Sequence, residues 1–298
     1  MRNKKFITTV LSIIVFALFA CTGYYFSTDT NELETGKNLQ TDGTVVVHYL
    51  DVGQGDSEFI QLPDGKCMLI DASISDCSDR IIDYISNLGY SKIDYLIATH
   101  PHADHIGGMK AVVQQFDIGE IYMPKASSTS KTYENLLLAI AEKGLSINTA
   151  KAGTVAIQDN DLTAEFLAPV KADYDDLNNY SAVLRLQHGS NVFLFMGDAE
   201  DVSENEILKN ATKNKLKADV LKVGHHGSKT SSTFEFVSAV SPRISVVEVG
   251  KDNSYKLPSQ KVLNRLSELG SEVLRTDING NVAVVSDKTD ITVYSEKE

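Results

Sequence analysis

The chain has 298 residues, and 40 acidic against 28 basic side chains leave a formal charge of −12. That balance argues against tight, nonspecific binding to duplex DNA, which rests on neutralising phosphates, although metal ions can supply positive charge locally. No Gly-x-Ser-x-Gly elbow is present, which argues against a serine hydrolase.

Met1-Arg2-Asn3-Lys4-Lys5 precedes an apolar run from Phe6 to Ala20, then Cys21. A basic start and a short apolar centre predict an export signal over residues 1–20. Leu18-Phe19-Ala20-Cys21 resembles a bacterial lipobox, which implies cleavage before Cys21 and diacylglycerol on its sulfur. An uncleaved anchor and full secretion are the alternatives, although the run is short for a membrane span. Each reading is extracytoplasmic, and the first two attach the protein to the bacterial cell membrane. Loss of Arg2, Lys4 and Lys5 lowers the charge by three, from −12 to −15. Residues 21–43, rich in Thr, Asn, Asp, Glu and Gly beyond Ser27, are expected as a flexible tether. Residues 44–298 fit one large domain rather than two.

Strands are expected at Val45–Leu50, Ser57–Gln61 and Cys67–Ile70, then a helix at Arg80–Leu88 with Ile81, Ile82, Ile85 and Leu88 on one face. Cys67 and Cys77 lack metal-ligand spacing; a disulfide and two unpaired thiols are both open. The apolar stretch Tyr95–Ala98 runs directly into Thr99-His100-Pro101-His102-Ala103-Asp104-His105-Ile106-Gly107-Gly108. Alternate residues of an extended chain point the same way, so His100, His102 and Asp104 can converge, and a turn brings in His105. Imidazole with carboxylate is the ligand set of zinc and its neighbours. Gly107-Gly108 is expected to turn the chain tightly into a helix at Met109–Phe116.

A strand at Ile118–Met123, a helix at Thr132–Lys143 and strands at Leu162–Leu167, Ala182–Gln187 and Asn191–Met196 follow. Val192 to Met196 is apolar throughout, as in a strand covered on both faces, and it ends at Gly197-Asp198. After a helix at Val202–Asn210, the strand Val220–Val223 ends at His225-His226-Gly227-Ser228. The remaining elements are helices at Ser232–Ala239 and Ser259–Leu269 and strands at Ile244–Glu248, Glu272–Arg275, Val282–Val285 and Ile291–Tyr294. Periodicity alone establishes α/β, with polar residues placed where strands end, as binding sites are in layered folds.

These marks, together with His48-Tyr49-Leu50-Asp51-Val52-Gly53-Gln54-Gly55-Asp56, Leu69-Ile70-Asp71 and Asn178-Asn179-Tyr180-Ser181, resemble the metallo-β-lactamase superfamily. Within it they are similar to the hydrolase domain of the DNA-uptake competence protein ComEC. The resemblance implies a four-layer αββα sandwich and two divalent ions, zinc or manganese. It places His100 and His102 on one ion, Asp104, His105 and His225 on the other, and Asp198 between them. Asp104 and Asp198 thereby become the catalytic carboxylates, and Asp71 orients a liganding histidine. Asn178, Ser181, His226, Ser228 and Lys256 are candidate substrate contacts, and Lys222 and Lys229 also lie in or beside motif loops.

Two departures stand out. Many superfamily members supply a third histidine to the first ion, where this chain reads Asn178-Asn179-Tyr180-Ser181, as in the ComEC-like branch. Lys256 stands where such chains often carry a histidine. The function implied is a binuclear phosphodiesterase acting on DNA. A wall-polymer phosphodiesterase such as a teichoic-acid phosphorylcholine esterase is the enzymatic alternative. A catalytically weak, metal-containing binding protein is the other. No protein partner follows from the sequence.

Overall fold

The computed structural model describes residues 24–27 and 39–297. The expected export signal and Cys21 lie outside the described residues. The first strands are β1 (Tyr24–Ser27), β2 (Val45–Tyr49), β3 (Glu58–Gln61), β4 (Cys67–Ile70), β5 (Lys92–Ile97), β6 (Asp117–Met123) and β7 (Ile147–Thr149). Then come β8 (Val155–Gln158), β9 (Leu162–Phe166), β10 (Leu184–His188), β11 (Asn191–Phe195), β12 (Val220–Lys222), β13 (Ile244–Val247), β14 (Glu272–Arg275), β15 (Val282–Ser286) and β16 (Ile291–Ser295). They form two sheets, one ordered β1-β16-β15-β2-β3-β4-β5-β6-β7 and the other β14-β13-β12-β11-β10-β9-β8.

Side-chain alternation explains why the sheets stack. Val45, Val47 and Tyr49 of β2 face inward, where they join Phe166, Leu184, Phe193 and Phe195 of the second sheet in the central core. The outer face of the first sheet is covered by α1 (Ser78–Asn87), α2 (Ala103–Ile106), α3 (Met109–Gln115) and α4 (Lys131–Glu142), through Ile81, Ile85, Val112 and Leu136. The outer face of the second carries α5 (Asp201–Asn210), α6 (Lys213–Leu216), α7 (Phe234–Val240) and α8 (Gln260–Glu268), through Ile207, Leu216, Phe236, Val262 and Leu266. Helix, sheet, sheet and helix make the expected four-layer αββα sandwich.

Some boundaries differ from the expectation. Tyr24–Ser27, inside the stretch read as a tether, pair in parallel with Ile291–Tyr294. Leu39 is buried and the Gln40 amide donates to the carbonyls of Thr44 and Leu62, so packing begins before residue 44. β7 and β8 lack a buried face, which is why no apolar alternation announced them. Cys67 and Cys77 are free; their thiols donate instead to the carbonyls of Lys92 and Val52.

The topology puts one kind of strand end together. β4 and β5 are parallel, as are β11, β12 and β13. The residues just beyond them are Asp71, His100, Asp198, His225-His226 and Glu248, and all of these lie along one edge of the sandwich.

Candidate metal centre

Ligand-type atoms of His100, His102 and Asp198 lie within 4.8 Å of one another, as do those of Asp104, His105 and His226, and those of Asp56, His105 and Asp198. His100 and His102 arrive on an extended stretch, and Asp104 and His105 on the single turn of α2. His100 Nε2 is 3.0 Å from His102 Nδ1 and 3.8 Å from Asp198 Oδ2. His105 Nε2 is 3.2 Å and His226 Nε2 3.6 Å from Asp198 Oδ1.

These three atoms decide whether the residues fit a metal. His105 Nε2, His226 Nε2 and Asp198 Oδ1 are buried, and none has a hydrogen-bond partner. Each orphaned buried polar atom costs about 1–3 kcal/mol. Facing one another as two imidazole nitrogens and a carboxylate oxygen, they are a donor set for a divalent cation. The opposite ring nitrogens fix the tautomers. His105 Nδ1 donates to Asp71 Oδ2 at 2.7 Å, and His226 Nδ1 donates to the Glu248 carbonyl at 2.9 Å. In the neutral rings both Nε2 lone pairs therefore point at the centre.

The same point attracts positive charge. Burial disfavours charge on His105 and His226, but Asp198 and Asp56 outweigh it, so His105 is raised well above the usual range and His226 is pushed up to about 10. Burial alone would raise Asp198, yet the His105 and His226 charges hold it well below the carboxylate range. Asp104 is likewise held low, against its burial, by the nearby His226 ring, 3.5 Å away, and the charge of His105. Burial, then the charge of His105, drives His100 the other way, well below the usual imidazole range. The carboxylates thus draw positive charge to one point while His100 stays neutral.

Backbone strain gathers here too. Asp71, Ser73, His225 and His226 all take left-handed φ values between 48° and 54°, a conformation that persists in non-glycine residues only where the surroundings enforce it. That strain bears on one expected assignment. The expectation put His225 on the second ion, with His226 among the substrate contacts, since neighbours on an extended segment diverge. Both residues are left-handed instead, and the turn swings His226 inward beside Asp104 and His105. The His225 side chain stays 25% exposed, with Nε2 3.7 Å from Asp198 Oδ2 and Nδ1 3.1 Å from Glu200 Oε1.

Other predicted residues divide. Asp71, fully buried, accepts from the Thr99 backbone N–H and hydroxyl as well as from His105. Asn178 lines a pocket of about 290 Å³ with Gln54, His102, Asp104, Asp198, His225, His226 and Tyr255, and its buried Oδ1 has no partner. Ser181 is fully buried; its hydroxyl accepts from the Asp198 N–H at 3.0 Å and sits 3.4 Å from His100 Nδ1. It lies behind Asp198 and His100, away from solvent. Ser228 lies outside the pocket lining and bonds Thr230. Lys256 is exposed and lines a neighbouring depression with Lys251 and Arg275. Lys222, read as lying in or beside a motif loop, is fully buried in an ion pair with Asp56.

Asp56, Glu200 and Glu248 carry roles that sequence reasoning did not assign. Asp56 stood in a quoted motif, and Glu248, like Asp198, follows an apolar strand, so their positions were visible but their partners were not. Gly107 and Gly108 serve differently from the expectation. Both have ordinary helical φ, but a Cβ at Gly107 would lie 2.5 Å from the Ala103 carbonyl oxygen and one at Gly108 2.4 Å from that of Ala72. Space, not φ freedom, requires them.

An αββα sandwich that gathers histidines and aspartates at one edge of both sheets defines a metal-binding protein of the metallo-hydrolase type of fold. The chain belongs to the metallo-beta-lactamase superfamily, which it matches over residues 50–250. It is 35% identical over 261 residues to ComE operon protein 3 of Bacillus subtilis, covering 82% of this chain and 33% of that protein. It is 30% identical over 239 residues to the competence protein ComA of Neisseria gonorrhoeae, covering 80% of this chain and 32% of that protein. The chain spans about a third of the length of these curated relatives. CmlA, a diiron β-hydroxylase from Streptomyces venezuelae, shares the fold at a TM-score of 0.54 and 13% identity, over 79% of this chain and 53% of that one. Among the described residues no helix is long and apolar enough to cross a membrane.

Proposed function

We propose that the protein is an extracytoplasmic phosphodiesterase that cuts DNA with two divalent ions, zinc or manganese, and that Cys21 anchors it to the membrane by a lipid. The observation that carries this reading is the pair of donor groups at one pocket: His100, His102 and Asp198 beside Asp104, His105 and His226, with Asp198 reaching toward both. Ions held there supply Lewis acidity, polarising a phosphoryl oxygen and lowering the pKa of a water. Similarity to competence proteins supports nucleic acid as the substrate.

The chain's own residues do the rest. Asp71 and the Glu248 carbonyl fix the His105 and His226 rings. Asn178 Oδ1 and Tyr255 border the pocket, where they contact the substrate. His225 is held through Nδ1 by Glu200 and turns Nε2 into the pocket, placed to protonate a departing oxygen.

The test is hydrolysis of bis-p-nitrophenyl phosphate and plasmid DNA with added Mn²⁺ or Zn²⁺, with Asp104→Ala and His226→Ala controls. Cleavage of both substrates, lost in both variants, is expected. Cleavage of the small ester alone would transfer the substrate to a wall polymer. No cleavage with either metal would leave a metal-containing binding protein.

A further inference from the structure

β5, β6 and β7 run parallel, so the segments after Met123 and Thr149 leave the first sheet at the edge that carries the His100 loop. β9 and β11 are both antiparallel to β10, so the segment after Phe166 leaves the second sheet on the side of Asp198. These three exits enclose a second groove of about 350 Å³ lined by Lys125, Lys151, Lys171, Val170 and Tyr180. No carboxylate lines it, which is notable in a chain of net charge −12. Tyr180 shares a short turn with Asn178, which lines the metal pocket, so the two depressions are neighbours.

We infer that this groove binds a single nucleic-acid strand next to the metal pocket, with Lys125 and Lys151 on its phosphates and Tyr180 against a base. The inference rests on the DNA reading above and names the form of DNA that the site takes. Lys125 and Lys151 are exposed, and neither is engaged in an ion pair among the described residues. Lys171 is held by Glu206 at 2.5 Å and lies 6.0 Å from the centre of the Tyr174 ring. Tyr174 meets Tyr180 edge-on, with centroids 5.1 Å apart, which leaves Tyr180 braced and partly exposed. Cations along a groove with an aromatic ring at one side are the combination that binds single strands with little sequence preference. A wall polymer of polyol phosphates has no base to stack, so the ring favours nucleic acid. The aspartates of the same loop, Asp173, Asp175 and Asp176, do not line the groove.

The test measures anisotropy of a fluorescent phosphorothioate oligothymidylate on the full chain, between about 50 and 200 mM salt. Lys125→Gln/Lys151→Gln is compared with Lys110→Gln/Lys261→Gln, two exposed lysines on the outer helices α3 and α8. The groove pair is expected to lower the slope of log affinity against log salt by about 1.4, at about 0.7 per lost phosphate contact. The outer pair is expected to leave it unchanged, and an abasic strand is expected to bind more weakly. Equal slopes for the two double variants would overturn the groove. Equal binding of the abasic strand, or full competition by poly(glycerol phosphate), would overturn a nucleic-acid strand as its occupant. Lysine-dependent binding without any DNA cleavage would keep the groove and sink the phosphodiesterase reading. Cleavage unaffected by the lysines would do the reverse.

Discussion

Asp71 Oδ2 accepts the His105 Nδ1 proton at 2.7 Å, and the same carboxylate takes the Thr99 N–H at 2.8 Å. One buried side chain thus ties the end of β4 to the loop after β5 and aims His105 at the centre. Asp71→Ala removes the acceptor and leaves the His105 ring free to turn. Its metal affinity is expected to fall by about 10–100-fold, the usual effect of removing a residue that orients a liganding histidine. Competition against a chromophoric chelator measures this. Affinity within about threefold of the parent would show that packing alone holds His105.

The paired histidines make a sharper test. His226 Nε2 is buried, unpartnered and within 3.5 Å of Asp104 Oδ2, whereas His225 is partly exposed and bonded to Glu200. His226→Ala should lower the number of ions retained per chain after dialysis. His225→Ala should retain them and lose turnover. Metal analysis of the two proteins distinguishes the assignments, and the opposite pattern would restore His225 as the ligand.

What the sequence revealed and what it hid have physical reasons. The α/β class was legible because Val192 to Met196 is apolar throughout and because helices such as α1 place Ile81 and Ile85 on one face, whereas the four-layer order was implied only by the family resemblance. The loop from His100 to His105 was legible because its density of donor side chains has no structural purpose. The inward turn of His226 was not, since a left-handed pair of non-glycine residues is dictated by tertiary packing and leaves no local signature. Lys222 misled for a related reason. A lysine beside a motif loop reads as exposed, and only the long-range partner Asp56, far away in sequence, accounts for its burial. β7 and β8 escaped because edge strands without a buried face carry no alternation.

His48 gives a pH dependence remote from the metal pocket. It is fully buried, with Nε2 donating to Gln61 Oε1 at 2.9 Å and Nδ1 accepting from the Tyr84 hydroxyl at 3.0 Å. Burial lowers its pKa from 6.5 to about 4, with the Gln61 bond opposing. The folded state therefore binds fewer protons than the unfolded state between these values. The stability this group contributes is whole above about 6.5 and is lost as pH falls toward 4. The full span is worth about 3 kcal/mol. Urea unfolding of the parent and of His48→Gln at pH values across this window should show a shallower decline in the variant. Parallel declines would assign the acid sensitivity to other groups.

The last prediction concerns the ion pair behind the metal pocket. Lys222 and Asp56 are both fully buried and in contact, and Lys222 Nζ also donates to the Gly197 carbonyl at 3.3 Å. Glu58 and Glu248 lie buried close by; Asp56, Glu58 and Glu248 present carboxylate oxygens within 4.8 Å of one another. Burial and the neighbouring carboxylates raise Glu58 well above the usual range and push Glu248 up to about 8. Both therefore hold protons readily near neutral pH, and Lys222 balances the charge that remains on Asp56. Breaking one side of a buried pair strands the other charge, at a cost of about 3–5 kcal/mol. Lys222→Met is expected to lose that much unfolding free energy, and Lys222→Met/Asp56→Asn should regain part of it, because the stranded charge is gone. Urea titrations of the three proteins measure both steps. A single variant within about 1 kcal/mol of the parent would mean that the carboxylates take up a proton in place of the ammonium, and that the pair does not hold the fold together.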